Sequence, residues 1–263
     1  MLTASVVTYN TPEDELAACL ASLSPDYFDK IFIIDNSKSE ITRKQCQDRH
    51  GITYIPSDNV GYGRAHNIAI TKAMQLGSEY HLVINPDVYF TPSEIKKMLD
   101  YMRQNHDVAT LQPAMIHPNG SPQYTVKKLP APTDLIIRRF CPSKWFKKRN
   151  ARYELRHIDH SKPFNVPYHQ GSFMLLRTSA IREVGMFDER FFMYPEDIDL
   201  TRRLHSRYRT MYYPYATVTH AHRAASYHSM RMLGIHIINM VRYFNKWGWW
   251  HDEERRRYNA PFH

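Results

Sequence analysis

Nothing in this chain is long and apolar enough to cross a bilayer. Its least polar long stretch, Met232 to Val241, is about ten residues and contains His236 and Asn239, well short of the roughly 20 residues a spanning helix needs. The opening residues, MLTASVVTYN, carry no basic region ahead of an apolar one, so they read as a first strand and not as a signal peptide. Cysteine is scarce: Cys19, Cys46 and Cys141 are odd in number and lack metal-ligand spacing, which points to a reduced, cytosolic setting. There is no internal repeat, no low-complexity tract and no G-x-x-x-x-G-K-[ST] phosphate loop, which excludes a P-loop nucleotidase. Gly61 and Gly63 follow a third strand and not a first one, and position 66 is His, so the dinucleotide fingerprint is not met either. Helix-turn-helix, zinc-finger, RRM and KH signatures are also missing, so a pI near 9.4 does not by itself make a nucleic-acid binder.

What the chain does have is enough apolar residue, 43% of 263, to bury a substantial core. Its net charge of +9 is unevenly placed. Residues 127 to 156 carry +8 and residues 223 to 263 carry +4, which leaves −3 for everything else. Two basic segments on a mildly acidic body suit an anionic surface or ligand.

Short β-rich runs alternate with helical patterns through the first 106 residues. LTASVVTY (2–9), KIFIID (30–35), ITYIP (52–56) and YHLVIN (80–85) are the strands. Helices are expected from the Asn10-Thr11-Pro12-Glu13 start to Leu23, over 39–49, over 63–76, and after Thr91-Pro92-Ser93-Glu94, where Thr91 and Glu94 have capping-box spacing. Four such alternations predict an α/β, doubly wound, mostly parallel sheet covered on both faces. After residue 106 the alternation stops. Asn119-Gly120 marks a hairpin, 127–163 reads as an irregular basic insertion, and a strand (171–177), a short helix ending near Gly185 and a charged helix from Glu196 to about Arg207 follow. Ser226 to Trp247 is an amphipathic stretch.

Ligands of parallel sheets bind beyond the carboxyl ends of the strands. The polar residues expected there are Thr8-Tyr9-Asn10, Asp35-Asn36-Ser37, the Asp58 to Gly63 loop and Asn85-Pro86-Asp87. A carboxylate with a neighbouring oxygen donor, as in Asn85-Pro86-Asp87, suits a hard divalent cation, though the same triplet serves equally as a plain turn. Glu196, Asp197 and Asp199 open a helix, where acids also occur simply as dipole partners. His220 and His222 end an extended run, so at most one of them faces a given site.

The succession SVVTYN, IIDNS, NVGYGRAHN, VINPDV, GSFMLLR, VGMFDERFFMYPEDIDLTRRL and VTHAH resembles the inverting family 2 glycosyltransferases of GT-A fold, particularly the rhamnosyltransferase-like branch of O-antigen and cell-wall polysaccharide assembly. The resemblance runs from about residue 3 to 230 and is most specific from Gly171 to Leu204. It implies that Thr8 and Asp35 hold the nucleotide base, with Tyr9 and Asn10 beside them, and that Gly61, Asn67 and Asn85 contact the nucleotide sugar. It implies further that Asp87 and His220 bind Mg²⁺ or Mn²⁺, and that Asp197, with Glu196 next to it, is the base that activates the acceptor. Arg64 is the candidate for stabilising the departing diphosphate. This chain departs from the family in having Asn85 where an acid is usual, and in lacking the usual glycine at Ser206-Arg207-Tyr208.

The implied donor is a nucleotide sugar, dTDP-rhamnose in the first place and a UDP-hexose or UDP-hexosamine as the alternative. The implied acceptor is a polyprenyl-diphosphate-linked saccharide of lipopolysaccharide or O-antigen type. No nucleic-acid partner is expected. The basic segments and the last helix, with Arg223, Arg231, Arg242, Lys246 and the cluster Trp247, Trp249, Trp250, suit an anionic membrane surface, so the expected location is cytoplasmic and peripheral on the inner face of the cell membrane. The corresponding division is a catalytic domain over 1–222, with a nucleotide-binding half (1–106) and an acceptor half (107–222), followed by a helical tail (223–263).

Overall fold

The computed structural model describes residues 1–47, 49–140, 145–221 and 230–263. Cys141, His222, Arg223 and the start of the amphipathic stretch at Ser226 lie outside the described residues, as does the Arg231 side chain.

The first half follows the alternation. β1 (Leu2–Thr8), α1 (Glu13–Ser22), β2 (Lys30–Asp35), α2 (Glu40–Cys46), β3 (Ile52–Pro56), α3 (Tyr62–Gln75), β4 (Tyr80–Ile84), a short β5 (Val88–Tyr89) and α4 (Pro92–Gln104) come in that order. All seven residues of β1 are buried, as expected of a strand covered on both faces. Period-2 alternation divides the strands between two cores. Ile31 and Ile33 pack with Leu16, Leu20, Ile95 and Met98 of α1 and α4, whereas Phe32 and Ile34 pack with Ala65, Ala69 and Ala73 of α3. Removing a side chain such as Ile33 (0% exposed) costs about 2–5 kcal/mol.

The second half contributes β6 (Val108–Ile116), β7 (Pro122–Gln123), β8 (Val126–Lys127), α5 (Pro132–Phe140), α6 (Lys147–Tyr153), β9 (Phe164–Asn165), β10 (Tyr168–His169), β11 (Phe173–Arg177), α7 (Thr178–Val184), α8 (Glu196–His205), β12 (Arg209–His220), α9 (Met230–Trp247) and α10 (Glu253–Asn259). Among the described residues one sheet runs β3-β2-β1-β4-β11-β6-β12-β5. β1 to β4 are mutually parallel, β11 runs against both β4 and β6, and β6 and β12 are parallel again. The order reverses between β1 and β4, which makes a crevice at their carboxyl ends.

Several local expectations give way to long-range contacts. Asn10 does not cap α1: Pro12 stands at the cap, and Asn10 (φ 49°) gives its backbone N–H to Ser37 Oγ at 3.1 Å. Thr91 and Glu94 form no capping box, because the Glu94 carboxylate accepts from the backbone N–H of Thr217 at 2.8 Å and from Lys97 at 2.8 Å. The helix expected over 39–49 ends at Cys46. The basic insertion is partly regular, since Arg149 of α6 donates to Asp134 of α5 at 2.8 Å. The Asn119-Gly120 hairpin does form, joining β6 and β7 with Gly120 at φ 81°.

The tail is not a free amphipathic helix. Tyr243 and Phe244 of α9 are buried with Ile198 and Phe191. Trp247 donates its indole N–H to Asp199 at 2.8 Å, and Lys246 pairs with Asp188 at 2.9 Å and with Asp199 at 2.6 Å. Arg202 forks onto Asp252 at 2.6 and 2.8 Å. Of the tryptophans and cations expected at a lipid surface, Trp247 and Lys246 are thus engaged by Asp199 of α8 and Arg242 by the Arg190 carbonyl, while Trp250 and the ridge Ile237, Ile238, Val241 are exposed.

Candidate active site

A cleft of about 430 Å³ opens at the β1/β4 switch point. Tyr9, Asn36, Asn59 and Gly61 line it from the first half; Asn85 and Asp87 cross its floor; Gln170, Gly171, Glu196, Asp197 and His220 line it from the second.

The β1–β2 side is built by buried hydrogen bonds. Asp35 accepts at one oxygen from Thr8 Oγ1 (3.1 Å), Ser37 N–H (3.0 Å) and Ser37 Oγ (2.7 Å), and at the other from Ser39 N–H (2.7 Å) and Tyr54 O–H (3.0 Å). Burial alone would raise its pKa, but these donors outweigh burial and hold it below the usual range. Thr8 and Asp35 thus shape the β2–α2 turn from behind, and the cleft wall itself is made by Tyr9 and Asn36. Gly61, at φ 91°, comes so close to the Phe192 carbonyl that a Cβ would sit 2.2 Å from its oxygen, so only glycine fits.

Arg64 and Asn67 are not brought to the cleft. Arg64 is exposed and 3.4 Å from Glu189; Asn67 donates to Phe187 O at 2.9 Å and accepts from Phe187 N–H at 3.1 Å, which pins α3 to the 187–189 segment. Asn10 is exposed outside the wall. Among the described residues the wall has no Lys or Arg but three carboxylates, Asp87, Glu196 and Asp197.

Asp87 and His220, 133 positions apart in sequence, are brought together because β5 pairs with the end of β12, with Ala221 N–H donating to Asp87 O at 2.9 Å. His220 Nε2 lies 3.4 Å from Asp87 Oδ1. Gln123 fixes the imidazole tautomer. Its amide N–H₂ donates to the His220 carbonyl at 2.7 Å, so its oxygen must be what faces His220 Nδ1 at 2.9 Å, and Nδ1 carries the proton. Nε2 then presents a lone pair toward a carboxylate, which is the donor set a hard divalent cation takes when substrate oxygens complete its shell. Asn85, in place of an acid, accepts from Tyr62 O–H at 3.0 Å. Among the described residues no three His, Cys, Asp or Glu side chains gather at metal-binding range, and Asp87 and His220 are a pair.

Asp197 sits in the first turn of α8. Its Oδ2 accepts from Gly171 N–H at 2.9 Å and its Oδ1 from Ile198 N–H at 2.8 Å. Burial is the largest influence and raises its pKa, while those two N–H groups and the charge of Lys127 act the other way. Glu196 is raised much further, by burial and then by Asp197's charge, and its Oε2 has no hydrogen-bond partner among the described residues. The two acids share one site shielded from solvent, which disfavours ionising both at once. Tyr62, Gln123 and Lys127 escape the sequence analysis. Tyr62 lay in plain view inside N-V-G-Y-G, whereas Gln123 has no signal, being 97 residues from its partner.

Residues 3–185 match the model of the family described as Glycosyl transferase family 2. The N-acetylglucosaminyl-diphospho-decaprenol L-rhamnosyltransferase of Mycobacterium tuberculosis is 30% identical over 238 residues, 84% of this chain and 75% of that protein. Rhamnosyltransferase WbbL of Escherichia coli K12 is 29% identical over 205 residues, 76% of this chain and 75% of that protein. Among solved structures, GalNAc-T7 with UDP, GalNAc and Mn²⁺ shares the fold at TM-score 0.66 and 13% identity, over 94% of this chain and 48% of that one. The mannosyltransferase PcManGT of Pyrobaculum calidifontis, in complex with GDP-Man and Mn²⁺, does so at 0.59 and 15%, over 92% and 64%. This chain thus spans about half of the first structure and three quarters of the two curated relatives.

Proposed function

Because the chain belongs to glycosyl transferase family 2, and is a glycosyltransferase, we propose that it moves an L-rhamnosyl unit from dTDP-rhamnose, with inversion, to a polyprenyl-diphosphate-linked saccharide in surface-polysaccharide assembly. The observation that carries this reading is the half-buried Asp197 carboxylate at the cleft wall, held by Gly171 N–H and lining the same space as Asp87 and His220. In the proposed reaction Asp197 takes the proton of an acceptor hydroxyl as its oxygen attacks the anomeric carbon. The bond from that carbon to the diphosphate breaks on the opposite face, and the electron pair leaves with the nucleoside diphosphate. Inversion needs no covalent protein nucleophile.

The described part of the wall carries carboxylates and no Lys or Arg, which favours a cation accompanying the donor's diphosphate. Asp87 and His220 are the residues that would hold Mg²⁺ or Mn²⁺, which when bound offsets charge on the leaving diphosphate. The rhamnosyl donor and lipid-linked acceptor are carried over from the two curated relatives, whose names state rhamnosyl transfer and, in one, a decaprenol-linked acceptor. The division into a donor half (1–106), an acceptor half (107–222) and a tail (223–263) belongs to this reading. So does peripheral contact with the inner membrane face, supported by the exposed Ile237, Ile238, Val241 ridge; failure to bind anionic vesicles at low salt would remove that part.

Calorimetric titration with dTDP, UDP and GDP, each with and without Mn²⁺, tests the core of the reading. The expected result is Mn²⁺-dependent preference for dTDP. Preference for UDP moves the donor to a hexose or hexosamine, and binding of none of the three overturns the nucleotide-sugar reading.

A further inference from the structure

A second cavity, also of about 430 Å³, lies beside the cleft under the β6–β7 hairpin. It shares one wall residue with the cleft, Gln170. The next residue, Gly171, is the one whose N–H holds Asp197, so the wall of this cavity continues along the backbone into the residue that positions Asp197.

The cavity's chemistry is specific. Arg156 pairs with Glu154 at 2.6 Å, so these two formal charges cancel while leaving both donors and acceptors at the surface. Arg156 also lies over the Tyr124 ring at 4.7 Å, which fixes the guanidinium plane. His117 accepts from the Gln123 amide at Nδ1 (2.9 Å), which leaves the neutral ring with an N–H donor at Nε2. Thr125 is 3% exposed, and its buried Oγ1 has no hydrogen-bond partner among the described residues. An orphaned buried hydroxyl is costly to maintain unless a ligand completes it. A lipid chain finds little apolar wall here, and a phosphate finds Arg156 already neutralised. A neutral molecule whose every hydroxyl both gives and takes a hydrogen bond fits both the composition and the size, which lies within the range of about 300–1,000 Å³ typical of ligand pockets.

We infer that this cavity is the subsite for a pyranose of the acceptor saccharide, with Thr125 and the Glu154–Arg156 pair as its recognition groups. The inference rests on the glycosyl-transfer reading and adds to it the place from which the acceptor approaches Asp197.

Thr125→Val tests it in the full chain. The substitution keeps the shape and deletes only the unpartnered hydroxyl, so thermal stability should hold or rise. With N-acetylglucosaminyl diphosphate on a short farnesyl chain as acceptor probe, the expected result is a roughly tenfold rise in acceptor KM, from the loss of one buried hydrogen bond. The nucleoside diphosphate affinity should stay unchanged, and Thr125→Ser should restore the KM. An unchanged acceptor KM in Thr125→Val, or a loss that appears in nucleotide affinity instead, overturns the subsite while leaving glycosyl transfer standing. Saturation-transfer NMR separates the two readings from the other side. If the unsubstituted protein binds the probe, with the signal weakened in Thr125→Val, but transfers no sugar, the subsite stands and the transfer reading fails. If the unsubstituted protein does not bind this probe or its glucosyl, galactosyl and mannosyl counterparts, the subsite is overturned.

Discussion

The two sides of the cleft use buried carboxylates in opposite ways. On the β1–β2 side Asp35 is surrounded by five donated hydrogen bonds and kept ionised, so its charge strengthens the fold. On the α8 side Asp197 accepts from the backbone N–H groups of Gly171 and Ile198, and backbone hydrogen bonds also reach Glu196, yet burial outweighs them and pushes both pKa values up, so charge there is held against the fold's interest. The lesson is that burial alone does not mark a catalytic acid. What separates the two is the balance of donors against burial, which favours the charged form at Asp35 and disfavours it at Glu196 and Asp197.

The strongest way to break that contrast is Asp197→Asn. If the α8 carboxylate is the base, turnover falls by about 10²–10⁴-fold, while calorimetric affinity for the nucleoside diphosphate changes little. Retained turnover would leave the raised pKa values on α8 without a chemical purpose.

Acid gives the next largest effect, and it crosses both sides. His81, bridged between Thr3 and Ser5 of β1 at 2.8 Å to each, and His169, beneath the acceptor side, are both pushed down to about 3 by burial. Each is neutral when folded but takes a proton near pH 6.5 when unfolded. Their contribution is therefore complete above about 6.5 and is lost as pH falls toward 3. At pH 5 each costs about 2 kcal/mol of stability, readable as a drop in urea midpoint between pH 7 and pH 5. Replacing His81 by Gln should flatten that drop; a midpoint that falls equally in the variant would exclude His81 as a source.

How much of this contrast the sequence carries depends on the range of the contacts involved. The first 106 residues are legible because each strand and its helix are neighbours in sequence, and Ile31–Ile34 show period-2 burial on two faces. Gly61 is legible as a loop glycine, although the reason for it, the Phe192 carbonyl, comes from 131 residues away. β6 is not legible as a central strand: VATLQPAMI contains a proline, and only pairing with β11 and β12 places it inside the sheet. The same cause undoes the capping box, since Glu94 meets Thr217 across the fold. Asp87, His220, Glu196 and Asp197 are legible as polar residues at strand and helix ends, with roles implied by the resemblance; β5–β12 pairing brings the first two together, and α8 carries the other two to the same cleft. Gln123, which orients His220, carries no local pattern at all. The tail misleads for the opposite reason: Trp247 and Lys246 have a membrane-surface composition, but Asp199 satisfies both.

A matched pair of isosteric substitutions sharpens the comparison further. Asp35→Asn removes the charge that five donors face and should lower stability by about 2 kcal/mol at pH 7. Glu196→Gln should do the reverse. Its pKa is raised on folding, so the folded state holds a proton that the unfolded chain releases at neutral pH, and this costs stability above the usual carboxylate range. The neutral amide removes that cost and should stabilise the protein at pH 8 by about 1 kcal/mol or more. The advantage should vanish below about pH 4, where Glu196 is protonated in both states. Melting curves of the two variants at both pH values would show the opposite signs; a destabilised Glu196→Gln at pH 8 would mean that its carboxylate is as well supplied with donors as Asp35.

The smallest effect is expected at Arg64, which the sequence places at the diphosphate and the structure places on the surface beside Glu189. The two side chains are 58% and 49% exposed and 3.4 Å apart, a geometry in which ion pairs contribute less than about 1 kcal/mol. Arg64→Ala should therefore leave stability, nucleotide affinity and turnover within about twofold of the unsubstituted protein. A large loss of Mn²⁺-dependent nucleotide binding would show that Arg64 swings from Glu189 into the cleft when a diphosphate arrives. The carboxylate-lined wall would then receive its positive charge from the protein as well as from the metal, and the donor side would be less rigid than its hydrogen bonds around Asp35 imply.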